Sequence, residues 1–142
     1  MSTAEAEVLA LIENRMQAVR EKDVDKAMQF FSANVLCFDV VGPLRLTGAD
    51  AVRKRVEEWF TSFDGPIDFA MSELHIEVSD DLAYSHSLNH VKAAKTDGIV
   101  MDMWWRSTVG YRKFSGGWVI LHEHNSVPFN AKSGKVSFDL KP

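Results

Sequence analysis

The feature that most limits the fold is a series of four long stretches in the second half of the chain, each alternating hydrophobic and polar side chains. We predict strands near 67–79, 82–95, 99–114 and 117–127. The connections between them are short and rich in Asp and Gly, which favours tight turns between antiparallel neighbours. The sequence therefore predicts a meander of four long antiparallel strands.

The first half of the chain has the spacing of helices. Hydrophobic residues recur every three or four positions over 4–22, and a second, short helix is predicted over 24–31 with Asp23 as its N-cap. A strand over 34–43 follows it. A third helix opens at Thr47–Asp50 with a capping-box pattern and stops at a Gly-Pro pair. The predicted order is helix, helix, strand, helix and then the meander.

These elements indicate an α+β fold in which a curved antiparallel sheet forms a cone and three helices pack on its concave face. The 142 residues suit a single domain, 1–142, with a polar C-terminal tail over 128–142. The open end of such a cone is a natural pocket for a small molecule.

Composition narrows the classes of partner. The net charge is -4 and no run of Lys or Arg occurs, so we expect no nucleic acid as partner. No hydrophobic run approaches the roughly 20 residues of a membrane span, and the first residues are acidic where a signal peptide is basic. Cys37 is the single cysteine, which excludes an internal disulfide and a cysteine-based zinc site. We expect a cytoplasmic protein that does not bind membranes.

Three segments carry a family resemblance: "FDVVGPLRLTGADAVRKRVEEWF", "LAYSHSLNHV" and "STVGYRKFSGGWVILHEHNSVPF". With the order of elements, they resemble the nuclear-transport-factor-two-like superfamily, which includes ketosteroid isomerases and SnoaL-like stand-alone domains. The resemblance covers nearly the whole chain and implies the cone fold. It implies no single chemistry, because this fold hosts many unrelated functions.

The triplet His122-Glu123-His124 lies on the last predicted strand, where successive side chains point to opposite faces. Both histidines therefore share one face with Trp118 and Ile120, and Glu123 lies on the other face. Periodicity alone leaves open which face lines the pocket, because both begin with hydrophobic residues.

The resemblance selects one of these faces. The association domain of calcium/calmodulin-dependent protein kinase, a member of the same superfamily, has pocket arginines at positions matching His86, Val109 and Asn125. The resemblance therefore implies that these three residues and Glu123 face the cavity. It also implies that His122 and His124 lie on the outer face, where such folds often form homodimers.

A metal site is the alternative for the two histidines. Two imidazoles on one strand face can share a metal, but a third ligand is needed, and no spacing singles out His75, His86 or His90. We expect no metal ion, and a homodimer interface through the sheet face instead.

Asp39 is the candidate base. It occurs among hydrophobic residues, where loss of water favours the protonated carboxyl and suits proton transfer near neutral pH. Its position resembles that of the general base of ketosteroid isomerases. The two oxyanion donors of those enzymes match positions near Arg15 or Met16 and near Val109, where neither donor occurs, so we do not expect steroid isomerisation. The alternative is an ion pair of Asp39 with Arg45 or Arg53.

The sequence thus predicts a small-molecule enzyme that performs acid–base chemistry on a hydrophobic substrate without a cofactor, with Asp39 and His86 as catalytic residues. The alternative is a non-catalytic module for ligand binding or oligomerisation. The expected pocket walls are formed by Trp59, Phe63, Tyr84, Met103, Trp105, Val109, Glu123 and Asn125.

Overall fold

A computed structural model describes residues 1–142 and confirms the α+β class. Six strands form one sheet in the order β2-β1-β6-β5-β4-β3, and three helices accompany it. The elements are α1 (Thr3–Glu21), α2 (Val24–Met28), β1 (Phe31–Phe38), β2 (Leu46–Thr47), α3 (Ala49–Thr61), β3 (Asp68–Ser79), β4 (Leu82–Ala94), β5 (Val100–Phe114) and β6 (Gly117–Ser126).

The meander agrees with the prediction almost residue for residue, because each of its turns joins strands that are already neighbours in sequence. The sheet is nevertheless mixed and not purely antiparallel. β1 runs parallel to β6, with Phe38 opposite His124. No hairpin joins these two strands, so no local turn sets their relative direction, and sequence signals did not reveal it.

A β-bulge in β6 changes which side chains face inward. Tyr111 pairs with Ile120 and Gly110 pairs with His122, which leaves Leu121 as an extra residue. Ile120 is therefore fully buried on the inner face, and Glu123 also faces inward beyond the bulge. The expected strict alternation, which put Ile120 on the same face as His122, is wrong for this reason.

The ends of the helices differ from prediction in two places. Asp23 caps α2 as expected, accepting from the Lys26 backbone N–H, but this helix ends at Met28 because the chain turns into β1. The predicted capping box at Thr47 is wrong. Gly48 occupies the N-cap of α3 at φ 90°, a conformation that favours glycine, and no side chain caps this helix.

The core joins α1 to the inner face of the sheet. Val8 and Ile12 pack in one buried cluster with Val109, Tyr111 and Ile120. A second buried cluster contains Phe60 at the end of α3 and Phe69 at the start of β3. Between the two clusters the sheet and helices separate and leave a cavity. No helix is long and hydrophobic enough to cross a membrane.

Candidate functional site

A cavity of about 530 Å³ lies between the concave face of the sheet and helices α1 and α3. Most of its lining is hydrophobic. On α3, the side chains that face it recur at the spacing of one helical stripe, at Val52, Arg55, Val56 and Trp59. Arg55 is the one charged residue in this stripe, and it brings a cation to the cavity wall.

One wall of the cavity is aromatic. Trp59 on α3 meets Trp105 on β5 edge to face, with ring centroids 6.2 Å apart, and Met103 lines the same wall. Phe63 does not line the cavity. It is buried behind Trp59, with ring centroids 5.5 Å apart, because the helix ends at Thr61 and turns the chain away. This wall suits a flat hydrophobic group.

Asp39, the first residue after β1, lines the cavity, and its carboxylate is paired. Arg55 Nε donates to its Oδ2 at 2.9 Å, and the Val40 backbone N–H donates to its Oδ1 at 2.8 Å. An ion pair was the alternative to an isolated base, but the partner is Arg55 and not Arg45 or Arg53. Each carboxylate oxygen accepts a single hydrogen bond and keeps capacity for another.

A second charged pair lies in the same cavity. Arg15 Nη2 donates to both carboxylate oxygens of Glu123, at 3.0 and 3.2 Å. Burial alone would lower the pKa of Arg15, but the adjacent Glu123 carboxylate more than offsets this, and the pKa is raised. Arg15 thus stays a cation inside the cavity.

Two further titratable groups nearby stay neutral. Burial, reinforced by the negative charges of Glu123 and Asp39, raises the pKa of the Cys37 thiol to about 12. Burial also raises the pKa of Tyr111, whose hydroxyl lies 2.8 Å from Ser85 Oγ. Neither group is an activated nucleophile at neutral pH, because the reactive form of each is the anion.

The floor of the cavity has a row of polar side chains across three strands. Ser87 on β4 lies opposite Ser107 on β5, which lies opposite Asn125 on β6. Ser87 Oγ donates to Asn89 Oδ1 at 2.7 Å. Asn125 Oδ1 is buried with no partner, which costs about 1–3 kcal/mol.

His86 and Tyr84 do not line the cavity, so the expectation that they do is wrong. The inner face of β4 carries Ser85, Ser87 and Asn89, which places the alternate residues on the outer face. His86 is exposed and stacks on His75 with ring centroids 5.1 Å apart, and Tyr84 is 46% exposed. The resemblance gave the wrong face for this strand: Val109, which lines the cavity, pairs with Ser85, whereas His86 pairs with Thr108. Periodicity offered no check, because β4 has polar residues on both faces.

The structure does place Asp39, Trp59, Met103, Trp105, Val109, Glu123 and Asn125 around the cavity. Sequence reasoning missed their partners Arg15 and Arg55. Each arginine interrupts the hydrophobic stripe of its helix, and this pattern was a signal that could have revealed both.

The outer face of the sheet carries the histidines. His122 Nδ1 lies 2.7 Å from the Leu36 carbonyl oxygen, and the rings of His122 and His124 both meet Phe38 edge to face. No three His, Cys, Asp or Glu side chains come together in an arrangement that could hold a metal ion.

Comparison with known proteins identifies the family of this chain. A family model described as a SnoaL-like domain matches residues 8–130. The chain is 35% identical to an NTF2-like protein of unknown function from Pseudomonas putida KT2440, with a TM-score of 0.90, covering 100% of this chain and 99% of the other.

More distant structures share the fold. An NTF2-like superfamily protein from Salmonella enterica serovar Typhimurium LT2 is 18% identical with a TM-score of 0.81, covering 91% of this chain and 94% of that one. A ketosteroid isomerase-like protein from Erwinia carotovora atroseptica SCRI1043 is 16% identical with a TM-score of 0.75, covering 89% and 97%. A search among curated proteins finds no match.

Proposed function

This chain belongs to the SnoaL-like family, and from that premise we propose that it is a small-molecule enzyme that moves a proton on a hydrophobic substrate without a cofactor. The observation that carries the proposal is the Asp39 carboxylate, held in the wall of a largely hydrophobic cavity and fixed by one hydrogen bond to each oxygen. A positioned carboxylate with a free lone pair is suited to general-base catalysis.

Arg55 has the role of orienting this base. Its Nε binds Asp39, and its two terminal nitrogens make no hydrogen bond within the protein. They remain available to a substrate oxygen or to water at the cavity wall. His86, which the sequence predicted as the second catalytic residue, lies on the other face of the sheet. Arg55 is therefore the group that acts with Asp39.

The second candidate function is non-catalytic ligand binding. It is favoured by the fact that both carboxylates facing the middle of the cavity are paired with arginine. Charge-assisted hydrogen bonds of this kind hold a carboxylate in one geometry, which suits a structural part of a binding site. The cavity, aromatic wall and polar floor serve binding whether or not a proton moves.

Solvent-proton exchange distinguishes these two functions. The protein is incubated in D2O with a panel of neutral hydrophobic ketones, lactones, nitriles and nitroalkanes, and deuterium uptake is followed by NMR. Proton transfer predicts uptake that is lost in Asp39→Asn and kept in Asp81→Asn, an exposed turn residue used as control. Ligand binding without exchange in the wild type identifies the non-catalytic module.

We also propose that the outer face of the sheet binds a second copy of the chain. No helix covers this face, and it presents Phe38, Tyr84, His86, Trp104 and His124 in partly or fully exposed positions. Aromatic side chains on a sheet face that no helix covers are typical of an interface between subunits.

A further inference from the structure

Three polar groups on the cavity floor make no hydrogen bond within the protein. They are Asn89 Nδ2, Ser107 Oγ and Asn125 Nδ2, and all three residues line the cavity. Asn89 Oδ1 is already occupied by Ser87, and Asn125 Oδ1 is shielded from solvent. The amide group of each asparagine therefore meets the cavity with its NH2 end, which can only donate.

The strand register brings these donors to one place. Ser107 and Asn125 are direct cross-strand partners, so their Cβ atoms are about 5 Å apart, and Asn89 is the diagonal neighbour of Ser107. A single oxygen atom of a ligand can therefore accept from Ser107 and Asn125 together, while Asn89 reaches a neighbouring acceptor.

The candidate base is next to the same donors. The last pair between β1 and β6 is Phe38 with His124, so the positions that follow are Asp39 and Asn125, and both line the cavity. A ligand oxygen at Asn125 would place the adjoining carbon atoms beside the Asp39 carboxylate.

The charges of the cavity favour an uncharged ligand. Arg15 is paired with Glu123, and Arg55 is paired with Asp39. The remaining two charged lining residues, Glu58 and Lys95, have opposite signs and so leave no net charge. An anionic ligand would have to compete with a carboxylate for either arginine.

We propose that the ligand is a neutral, flat carbonyl compound, whose carbonyl oxygen accepts hydrogen bonds from Asn125 and Ser107 and whose ring system lies against Trp59 and Trp105. This rests on the proposed function in so far as the same cavity is the substrate site. Asn125 is the residue that decides specificity, because its Nδ2 makes no hydrogen bond within the protein and its Oδ1 is buried without a partner.

The test uses two probes of nearly equal shape. One is 2-acetylnaphthalene, and the other is 2-isopropenylnaphthalene, in which a CH2 group replaces the carbonyl oxygen. Dissociation constants are measured for the purified full chain by ligand-observed NMR titration. We expect the ketone to bind about tenfold more tightly than the alkene, which is the usual effect of satisfying buried donors in a hydrophobic site.

Asn125→Leu keeps the size of the side chain and removes the donor. It should weaken ketone binding by about tenfold and leave alkene binding within about threefold of wild type. Asn34→Leu, at an exposed position on β1, is the matched control and should keep the preference for the ketone. If Asn125→Leu does not fold, as judged by circular dichroism, Ser107→Ala gives the same test with a smaller expected loss.

Equal binding of the two probes to wild type overturns the proposal. So does a ketone preference that survives in a folded Asn125→Leu variant, or a failure of both probes to bind up to their solubility. These outcomes are separate from deuterium exchange. A ketone preference without any exchange would overturn the proposed enzyme and leave this inference standing. Exchange without a ketone preference would overturn this inference and leave the proposed enzyme standing.

Discussion

Arg15 on α1 and Glu123 on β6 are 108 positions apart in sequence, and their side chains form two hydrogen bonds of 3.0 and 3.2 Å inside the cavity. Their side chains are only 18% and 13% exposed, so water screens the pair far less than an exposed one. The pair links α1 to β6. Because its two charges neutralise each other, it adds no net charge to the cavity.

Glu123→Gln should therefore lower the free energy of unfolding by about 2–3 kcal/mol, since it leaves the Arg15 cation partly buried without its counter-ion. Urea denaturation at pH 7 measures this. Asp25→Asn breaks an exposed ion pair with Arg53 and should change stability by less than about 0.5 kcal/mol. Equal effects of the two substitutions would show that burial does not strengthen the Arg15 pair.

Arg55→Leu removes the donor that orients Asp39. We expect stability to fall by about 1–2 kcal/mol, because a partly buried carboxylate loses a charge-assisted hydrogen bond. Any deuterium exchange should fall with it. Arg53→Leu, two positions away and paired with exposed Asp25, is the control and should leave exchange unchanged. Exchange that survives in Arg55→Leu would show that Arg55 does not position the base.

The raised pKa of Cys37 predicts a loss of stability in alkali. In the unfolded chain the thiol ionises near its ordinary pKa of 9.0, but in the folded protein the pKa is about 12. Between these values the unfolded state has released a proton that the folded state retains, so stability falls as pH rises, by at most about 1.4 kcal/mol per pH unit.

Cys37→Ala should lower stability below the ordinary thiol pKa of 9.0, and this deficit should shrink as the pH rises above it, because the variant lacks the thiol that destabilises the wild type in alkali. The raised pKa of Tyr111 acts in the same direction and remains in both proteins, so the difference between them isolates the thiol. Urea denaturation from pH 8 to pH 11 is the measurement. Parallel pH profiles would mean that the thiol is not held neutral by the fold.

Adjacent tryptophans on β5 lie on opposite faces of the sheet. Trp105 lines the cavity, and Trp104 stacks on His90 outside it, with ring centroids 4.5 Å apart. A ligand in the cavity should change tryptophan fluorescence. Trp105→Phe should reduce this change to the part that Trp59 contributes, while Trp104→Phe preserves it. The opposite result would place the ligand on the outer face.

The proposed homodimer is tested by charge. His124→Glu puts a carboxylate on the outer face, where burial against a second copy would leave it unpaired, and should shift the protein toward monomer. Light scattering at micromolar concentration measures this. Gln17→Glu adds the same charge on the exposed side of α1 and should not change the mass. A wild-type protein that is monomeric throughout would refute the interface.

The sequence by itself determined the class of fold and the lengths of the four meander strands. These depend on local signals: alternation along each strand, and turn residues between strands that are already neighbours. It also predicted Asp39, Trp59 and Trp105 as pocket residues, and all three line the cavity of the structure.

Only the tertiary structure decided which faces and partners these residues have. The extra residue at Leu121 changes the facing of β6 along its length, and β4 turns Ser87 inward and His86 outward. Asp39 and Glu123 find arginines on helices distant in sequence, and β1 takes a parallel partner that no turn specifies. Each of these depends on contacts between segments far apart in the chain, for which local periodicity carries no information.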